Sequence, residues 1–580
     1  MDNPTETQRF RCPAETKTYL ALLGIFYFFF LLLTPLGTDI SFVPPSLEPR
    51  GVYHVLKIDA GDDAGYFAYL RSMFIDHDVD FFNELYYAHR NRINDTGYAF
   101  NQWNIGPAVL WLPFFIAAHG ITKFYKVLGV PLAQDGLSFV YFSSTALASA
   151  TFVYCGLVLH FIILRQWFSR RAAFWSVTLF FLATPLVYFT FIRSRMAHAD
   201  DYFLCCLFIL IWLRFRAAPS ATKSVLLGLA GGLMILTRIN SACLLLLPLY
   251  DVCDRFYKGF KGKETADWTY LLYFFYSLCF CAVVYSIQVG VNSVLSGEAS
   301  GDARSGAVLA TIFSPEALVR LFTNPFKILW GANWGLFWHA PVYIVGACGL
   351  FFFVKKNKSI GLPLAISLSI PVFLVLVWPH HGISYGNRHL LTTNVVLSFG
   401  AAFCYDQFRD RIKPVYLNTV SGLLIFWSYL QLCFFKILVP YESSQFVLTV
   451  VQSLRILLDI PGLLNRGENF FYMILHPDFA ITTALDQYLL IWFPLAQLLT
   501  PIILLFTGVY IWDRMGRYPE FKRRLITPVM IIATLFFIGL NVTIQTVNDQ
   551  KSPEFIAKRK AEAVGGALGS MDPQARAESQ

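Results

Sequence analysis

Tyr19-Leu-Ala-Leu-Leu-Gly-Ile-Phe-Tyr-Phe-Phe-Phe-Leu-Leu-Leu-Thr34-Pro35-Leu36 contains no charged residue, and apolar runs of similar length recur along the whole chain. A run near 20 residues crosses roughly 30 Å of hydrocarbon as a helix whose backbone hydrogen bonds are all internal. The composition agrees. Of 580 residues, 56% are hydrophobic and only 14% charged, and the mean hydropathy is +0.52, too apolar for a soluble globular protein of this size. These features predict an all-α polytopic membrane protein. The first run follows a short charged segment, as a signal peptide would. Thr34, Pro35 and Leu36 offer no small-residue cleavage site, however, so it reads as a retained first helix.

A net charge of +9 would suggest nucleic acid for a soluble protein. Here the basic residues collect in short loops between apolar runs, so no nucleic-acid partner is expected and the charge reports topology. The clusters Arg165 to Arg171, Arg214 to Lys223, Arg255 to Lys263, Lys355 to Lys358, Arg409 to Lys413 and Arg514 to Arg524 should all face the cytoplasm. The helices that satisfy this cover approximately 18–36, 137–164, 172–191, 201–216, 224–236, 241–252, 268–294, 337–354, 360–378, 390–405, 415–440, 487–512 and 525–545. That gives about 13 spans with the N-terminus inside. The apolar stretch Pro107 to His119 breaks the parity and is only 13 residues long, so it is expected to be a re-entrant or interfacial helix. The first outer loop then covers about 37–136. Residues 1–547 form one transmembrane domain, and the polar tail 548–580, with no apolar periodicity, is expected to be disordered. Of 11 cysteines, all but Cys12 lie in or beside apolar runs, and none has the spacing of a zinc site. They read as small hydrophobes.

The unusual polar residues fall in the segments left outside. The first loop carries Lys57-Ile-Asp59-Ala-Gly-Asp62-Asp63-Ala-Gly-Tyr66 and then Asp76-His-Asp78-Val-Asp80-Phe-Phe-Asn83-Glu84. From Asp63 onward the apolar spacing is helical, which puts Asp62 and Asp63 at the N-terminus of a helix lying on the membrane surface. One such residue suffices as a cap. Two adjacent carboxylates beside Asp59 are more than a cap requires. A second cluster, Arg193-Ser-Arg195-Met-Ala-His198-Ala-Asp200-Asp201, separates two apolar runs, and its arginines suit either a ligand or lipid headgroups. A third, Trp378-Pro-His380-His381-Gly-Ile-Ser384-Tyr385-Gly386-Asn387-Arg388-His389, leads into the apolar run at Leu390. An arginine at the mouth of a helix, after a flexible glycine, suits an anion such as phosphate. His380 and His381 invite a metal, but adjacent residues point apart on a helix and no third ligand is evident, so no metal site is assigned. No cofactor is fixed by these residues, and a divalent cation is the one candidate.

At these residues the chain resembles the GT-C superfamily of polyprenyl-phosphate-sugar-dependent glycosyltransferases, which includes protein O-mannosyltransferases and aminoarabinose transferases. The resemblance covers the general plan of almost the whole chain. Its sharper motifs are Asp62-Asp63-Ala-Gly-Tyr66, Asn104-Ile-Gly-Pro107-Ala, the Arg193 to Asp200 turn and Ser384-Tyr-Gly-Asn-Arg388. It implies a GT-C-like bundle whose long extracytoplasmic first loop carries interfacial helices. It also implies a lipid-linked sugar bound at the outer leaflet and a first-loop carboxylate acting as base, here Asp62 or Asp63. Arg388, helped by Arg193, Arg195 or Lys57, would neutralise the departing phosphate. Asp59, Tyr66, His198, Asp200 and Tyr385 are further site candidates. Some relatives carry an acidic residue just before the proline that closes the first loop, whereas this chain has Asn101-Gln-Trp-Asn104. A second carboxylate role would therefore fall to Asp95, Asp80 or Glu84.

The expected partners are a polyprenyl-phosphate-linked sugar donor, a glycan, lipid or protein acceptor, and membrane lipids. The expected location is a bacterial inner membrane with the site facing the periplasm. Two competing functions share features of this sequence. One is a lipid-linked oligosaccharide ligase or polymerase, which takes diphosphate-linked donors. The other is a transporter or flippase, which would place ionisable residues on broken helices near the midplane, often in two related halves.

Overall fold

Phe139–Leu164 runs 26 residues without Asp, Glu, Lys or Arg, and Trp268–Ser296 runs 29. Such segments have no reason to stop until the sequence supplies a cap. Trp268–Ser296 begins at Asp267, whose side chain accepts from the Tyr270 amide, and ends at Gly297 with φ +76°. The Ser169, Ser220 and Asn357 side chains accept in the same way from Ala172, Lys223 and Ile360 at three further helix starts. The computed structural model describes residues 16–33, 62–86, 93–129, 133–137, 139–261, 267–297, 311–312, 314–331, 335–378 and 385–438, with a few helical residues between 531 and 558.

In chain order the helices are α1 Thr16–Leu33, α2 Asp62–Arg71, α3 Phe82–Tyr86, α4 Gly106–Val127, α5 Phe139–Leu164, α6 Arg170–Leu182, α7 Leu186–Phe191, α8 Ala197–Ala217 and α9 Ala221–Thr237. They continue as α10 Leu246–Phe260, α11 Trp268–Ser296, α12 Pro315–Trp330, α13 Leu336–His339, α14 Val342–Lys356, α15 Lys358–Val377, α16 Asn394–Phe408 and α17 Pro414–Leu438. Apart from a single bridge between Ile93 and Ala99, all regular structure among the described residues is helical. Among the described residues, four helices are long and apolar enough to cross a membrane: Gly106–Val127, Val140–Leu164, Trp268–Ser296 and Lys358–Val377. Several other expected spans are built from two pieces. The run 172–191 breaks between α6 and α7 at Ala183-Thr-Pro185, and the one at 390–405 enters through a tight 3-10 turn, Arg388–Thr393, before α16. The runs 487–512 and 525–545 and the tail fall outside the described residues, save those few helical positions.

Two expectations are corrected. The helix begun at Pro107 does not end near His119. It continues to Val127 for 22 residues, tolerating Pro113, and it is long enough to span. Its first turn packs against the end of α9, where a Cβ on Gly106 would meet the Thr237 backbone at 2.4 Å. Its later part meets the start of α5 through His119 and Tyr141, 2.7 Å apart. The second correction concerns α2, which starts at Asp62 as the spacing predicts but does not lie on a surface. Every residue from Asp63 to Leu70 is buried. Phe67 packs edge-on against Phe115, Tyr69 donates to the Trp103 carbonyl at 2.7 Å, and Asn101 donates to the Gly65 carbonyl at 3.0 Å. The Trp103 indole rests so close to Gly65 that any Cβ there would collide with it. The segment Asn101-Gln-Trp-Asn104 is thus the clasp that holds α2 in place.

Five of the basic clusters share one end of the bundle, and the sixth, Arg514 to Arg524, lies outside the described residues. Ser169 bonds Asp406 through its amide at 2.8 Å and its hydroxyl at 2.5 Å, joining the 165–171 and 409–413 clusters. Arg216 donates to Ser359 at 2.7 Å and Arg255 to the Arg216 carbonyl at 3.0 Å, which brings in 214–223, 255–263 and 355–358. The polar clusters of the candidate site gather at the opposite end. Between the two ends the core is apolar, tied by a few buried polar links such as His160 between the Tyr202 and Ser398 hydroxyls at 2.8 and 2.5 Å.

Candidate functional site

Four chain segments far apart in sequence converge at that opposite end: the start of α2, the turn into α8, the end of α9 and the 3-10 turn before α16. Arg388 reaches Asp62, with Nη1 3.1 Å from Oδ2. Arg195 faces Asp63, Nε to Oδ2 3.7 Å. Tyr66, one turn further along α2, meets Trp111 edge to face with ring centroids 6.3 Å apart. Its phenol lies in the fields of Asp62, Arg238, Arg388 and Asp200, and burial pushes it well above its ordinary value. The field of Arg193 is felt at both His198 and Arg388.

Local backbone chemistry sets these positions. α8 follows an extended residue, Met196, so that His198, Asp200 and Asp201 fall in its first turn and a half. All three are buried. Asp200 accepts from the Trp111 indole at 3.0 Å and lies 3.4 Å from the Ser149 hydroxyl. Asp201 accepts from Thr392 at 2.9 Å and from Ser241, and Arg238 lies 3.8 Å away. Arg238 also donates to the His198 ring. Gly386 has φ +62°, and a Cβ there would meet Pro185 at 2.5 Å and the His339 ring at 2.6 Å. Only glycine makes that turn without strain, and the turn delivers Asn387 and Arg388 into the cluster. Burial pushes the Arg388 guanidinium below its ordinary value, and Asp62 offsets part of the effect.

The structure therefore brings together Asp62, Asp63, Tyr66, Arg193, Arg195, His198, Asp200 and Arg388. Tyr385 sits beside them, 5.2 Å from Tyr188 and 5.7 Å from His339 between ring centroids. It does not bring in the three candidates for a second carboxylate. Glu84 bonds Arg71 at 2.5 Å at the far end of α2, sharing it with Asp76. Asp80 lies in the same turn, where its carboxylate accepts from the Phe82 amide at 3.3 Å. Asp95 is exposed in a turn docked on the end of α11 through Asn94 and Thr96, which donate to the Leu295 carbonyl at 2.8 and 2.5 Å. Lys57, Asp59, His380 and His381 lie outside the described residues.

Sequence reading missed Arg238, Trp111 and Asn387 as members of this cluster. Arg238 left a signal, because an arginine between two short apolar helices needs a partner. Trp111, within an apolar run, left none. Asn387 is 2% exposed, and neither its side-chain amide nitrogen nor its oxygen has a hydrogen-bond partner among the described residues. Arg388 Nε and Asp200 Oδ1 are likewise without one. No group of three or more His, Cys, Asp and Glu side chains placed to hold a metal occurs among the described residues. Chemically, the cluster offers carboxylates beside guanidinium groups at the end of an apolar bundle, which suits an anion whose remainder is apolar. No protein-family model matches the chain, and no curated protein matches it, so the functional reading rests on these residues.

Proposed function

We propose that the chain is a GT-C-type membrane glycosyltransferase of about 13 spans, α4 not counted among them, with its N-terminus inside and its site on the extracytoplasmic face. It would transfer a sugar from a polyprenyl-phosphate donor to an acceptor hydroxyl or amine. The observation that carries this reading is the meeting of the adjacent carboxylates Asp62 and Asp63 with Arg388 and Arg195 at the end of the bundle away from the basic clusters. A sugar already joined to phosphate has a good leaving group, so the site needs a base for the acceptor proton and cations for the departing phosphate. The acceptor oxygen or nitrogen forms a bond to the anomeric carbon and the carbon–oxygen bond to phosphate breaks. The electron pair leaves with the polyprenyl phosphate, and the proton goes to an α2 carboxylate. A single displacement of this kind inverts the anomeric centre. An inner bacterial membrane with the site facing the periplasm is the setting in which these parts work together.

The test is the full chain purified into lipid nanodiscs. Mass spectrometry should find a co-purified polyprenyl phosphate, and synthetic farnesyl-phosphate sugars should release farnesyl phosphate on turnover. Absence of both, across hexose and pentose donors, refutes the reading. A transporter is the second reading. It is favoured by burial of Asp200 and Asp201 beside Arg238 at helix breaks, as broken-helix transport sites require. Sugar-lipid movement across liposomes containing the protein, without release of farnesyl phosphate, would select it.

A further inference from the structure

Asp62 and Arg388 form the more open of the two arginine pairs at the start of α2. Their side chains are 28% and 18% exposed at a separation of 3.1 Å, whereas those of Asp63 and Arg195 are 6% and 9% exposed. The Arg388 fork is only partly used: Nη1 donates to Asp62, while the buried Nε has no hydrogen-bond partner among the described residues. Asn387, next to it, keeps a buried amide with no hydrogen-bond partner among the described residues. While Asp62 Oδ2 accepts from Arg388, that oxygen is occupied and is not free to meet an acceptor hydroxyl or amine. An alkyl phosphate fits the same fork in two-point geometry and matches the spare donors.

We infer that the Asp62–Arg388 pair is a latch opened by the donor: the phosphate takes Arg388 and so releases Asp62 to act as the base. The inference rests on the glycosyltransferase reading and adds the order of events. Without donor, Asp62 stays paired and the acceptor keeps its proton. With donor, Asp62 swings free, takes the acceptor proton as the anomeric bond to phosphate breaks, and gives that proton to water when the phosphate leaves and the pair re-forms. Asp63, more deeply buried against Arg195, stays in place and positions the start of α2.

The consequence has an unusual sign, because removing the proposed base should strengthen binding of the leaving group. Farnesyl phosphate is titrated into the full chain in nanodiscs by microscale thermophoresis, with farnesol as the uncharged control. Asp62→Asn is expected to bind farnesyl phosphate about tenfold more tightly, the size of one charge-assisted bond, with farnesol binding unchanged. In the Arg388→Ala background the same substitution should give no gain, which separates an exchange on Arg388 from a general field effect. Asp62→Ser, which also suits a helix start, serves the same comparison if the Asn variant does not fold. No tightening, or tightening that persists without Arg388, overturns the latch while leaving the enzyme reading standing. Wild-type protein that does not distinguish farnesyl phosphate from farnesol overturns both.

Discussion

Replacing Arg388 tests whether this residue grips a phosphate or only settles among lipid headgroups. Its guanidinium lies 3.1 Å from Asp62, with Nε unpartnered among the described residues. Two donors of one planar group are therefore available to an anion once Asp62 yields. Charge-assisted hydrogen bonds contribute about 1.5–3 kcal/mol each. After the loss of the Asp62 contact is set against them, a net of about 3 kcal/mol, or roughly a hundredfold in donor affinity, should disappear in Arg388→Ala. Lysine restores a point charge but not the fork, so Arg388→Lys should recover about half of that, leaving donor binding roughly tenfold weak. Asp62 is part-exposed, so its loss of a partner in either variant should be met by water, and the thermal midpoint should move little. The assay is donor-lipid affinity and single-turnover rate of the purified variants in nanodiscs. Arg388→Lys indistinguishable from wild type in both would show that the residue only snorkels, and would remove it from the site.

Three further predictions follow from other parts of the structure. In a cysteine-free background, a cysteine at Thr96 should react with an impermeant thiol reagent in intact cells and one at Ser220 should not; the reverse pattern would invert the proposed topology. Arg71 is one cation facing two carboxylates, and burial pushes the more enclosed one, Glu84, up from 4.5 to about 8. A carboxyl with a raised folded-state value holds a proton that the unfolded chain has already released, so its contribution to stability is full below pH 4.5 and is lost as pH rises towards 8. Unfolding midpoints should therefore fall across that window in wild type and fall less in Glu84→Gln, and identical slopes would refute the assignment. Trp111→Phe keeps the ring against Tyr66 but removes the donor to buried Asp200, which should cost about 1–3 kcal/mol; an unchanged denaturation midpoint would mean that Asp200 does not depend on that bond.

Much of the fold was legible because the bilayer imposes a simple rule on each apolar run, and capping residues such as Asp267 and Asn357 mark where runs begin. The grouping of the described basic clusters at one end also followed from sequence, since short charged loops have one favourable side. The length of α4 did not. Lys123 and Lys126 fall within it and Pro113 interrupts it, so a hydropathy reading stops near His119. The burial of α2 was equally hidden, because a surface helix and a clasped one share the same apolar spacing. What distinguishes them is Trp103 lying on Gly65, a contact 38 positions apart in the chain. At the site, the residue types of each cluster were visible, but the pairing of Asp62 with Arg388 across 326 positions depends on how four segments meet.

The two ends of the bundle bury ion pairs of different character, and the difference bears on function. At the basic end, Arg216 and Asp251 lie 3.3 Å apart, and the Asp251 carboxylate also accepts from Trp212 at 2.8 Å and Tyr270 at 3.2 Å. Arg216 bonds both the carbonyl and the hydroxyl of Ser359. That network is satisfied within the protein, as a structural tie between α8, α10, α11 and α15 should be. At the other end, Arg388 Nε, Arg238 Nε, Asp200 Oδ1 and both polar atoms of Asn387 are buried without hydrogen-bond partners among the described residues. Buried ion pairs seldom stabilise a fold better than apolar residues of the same volume, and a half-satisfied network is worse than either. Stability alone would have replaced these groups with leucine and valine. A charged, hydrogen-bonding ligand at that end would meet the donors and acceptors that the chain leaves unmatched, and a phosphate joined to a sugar carries both kinds of partner.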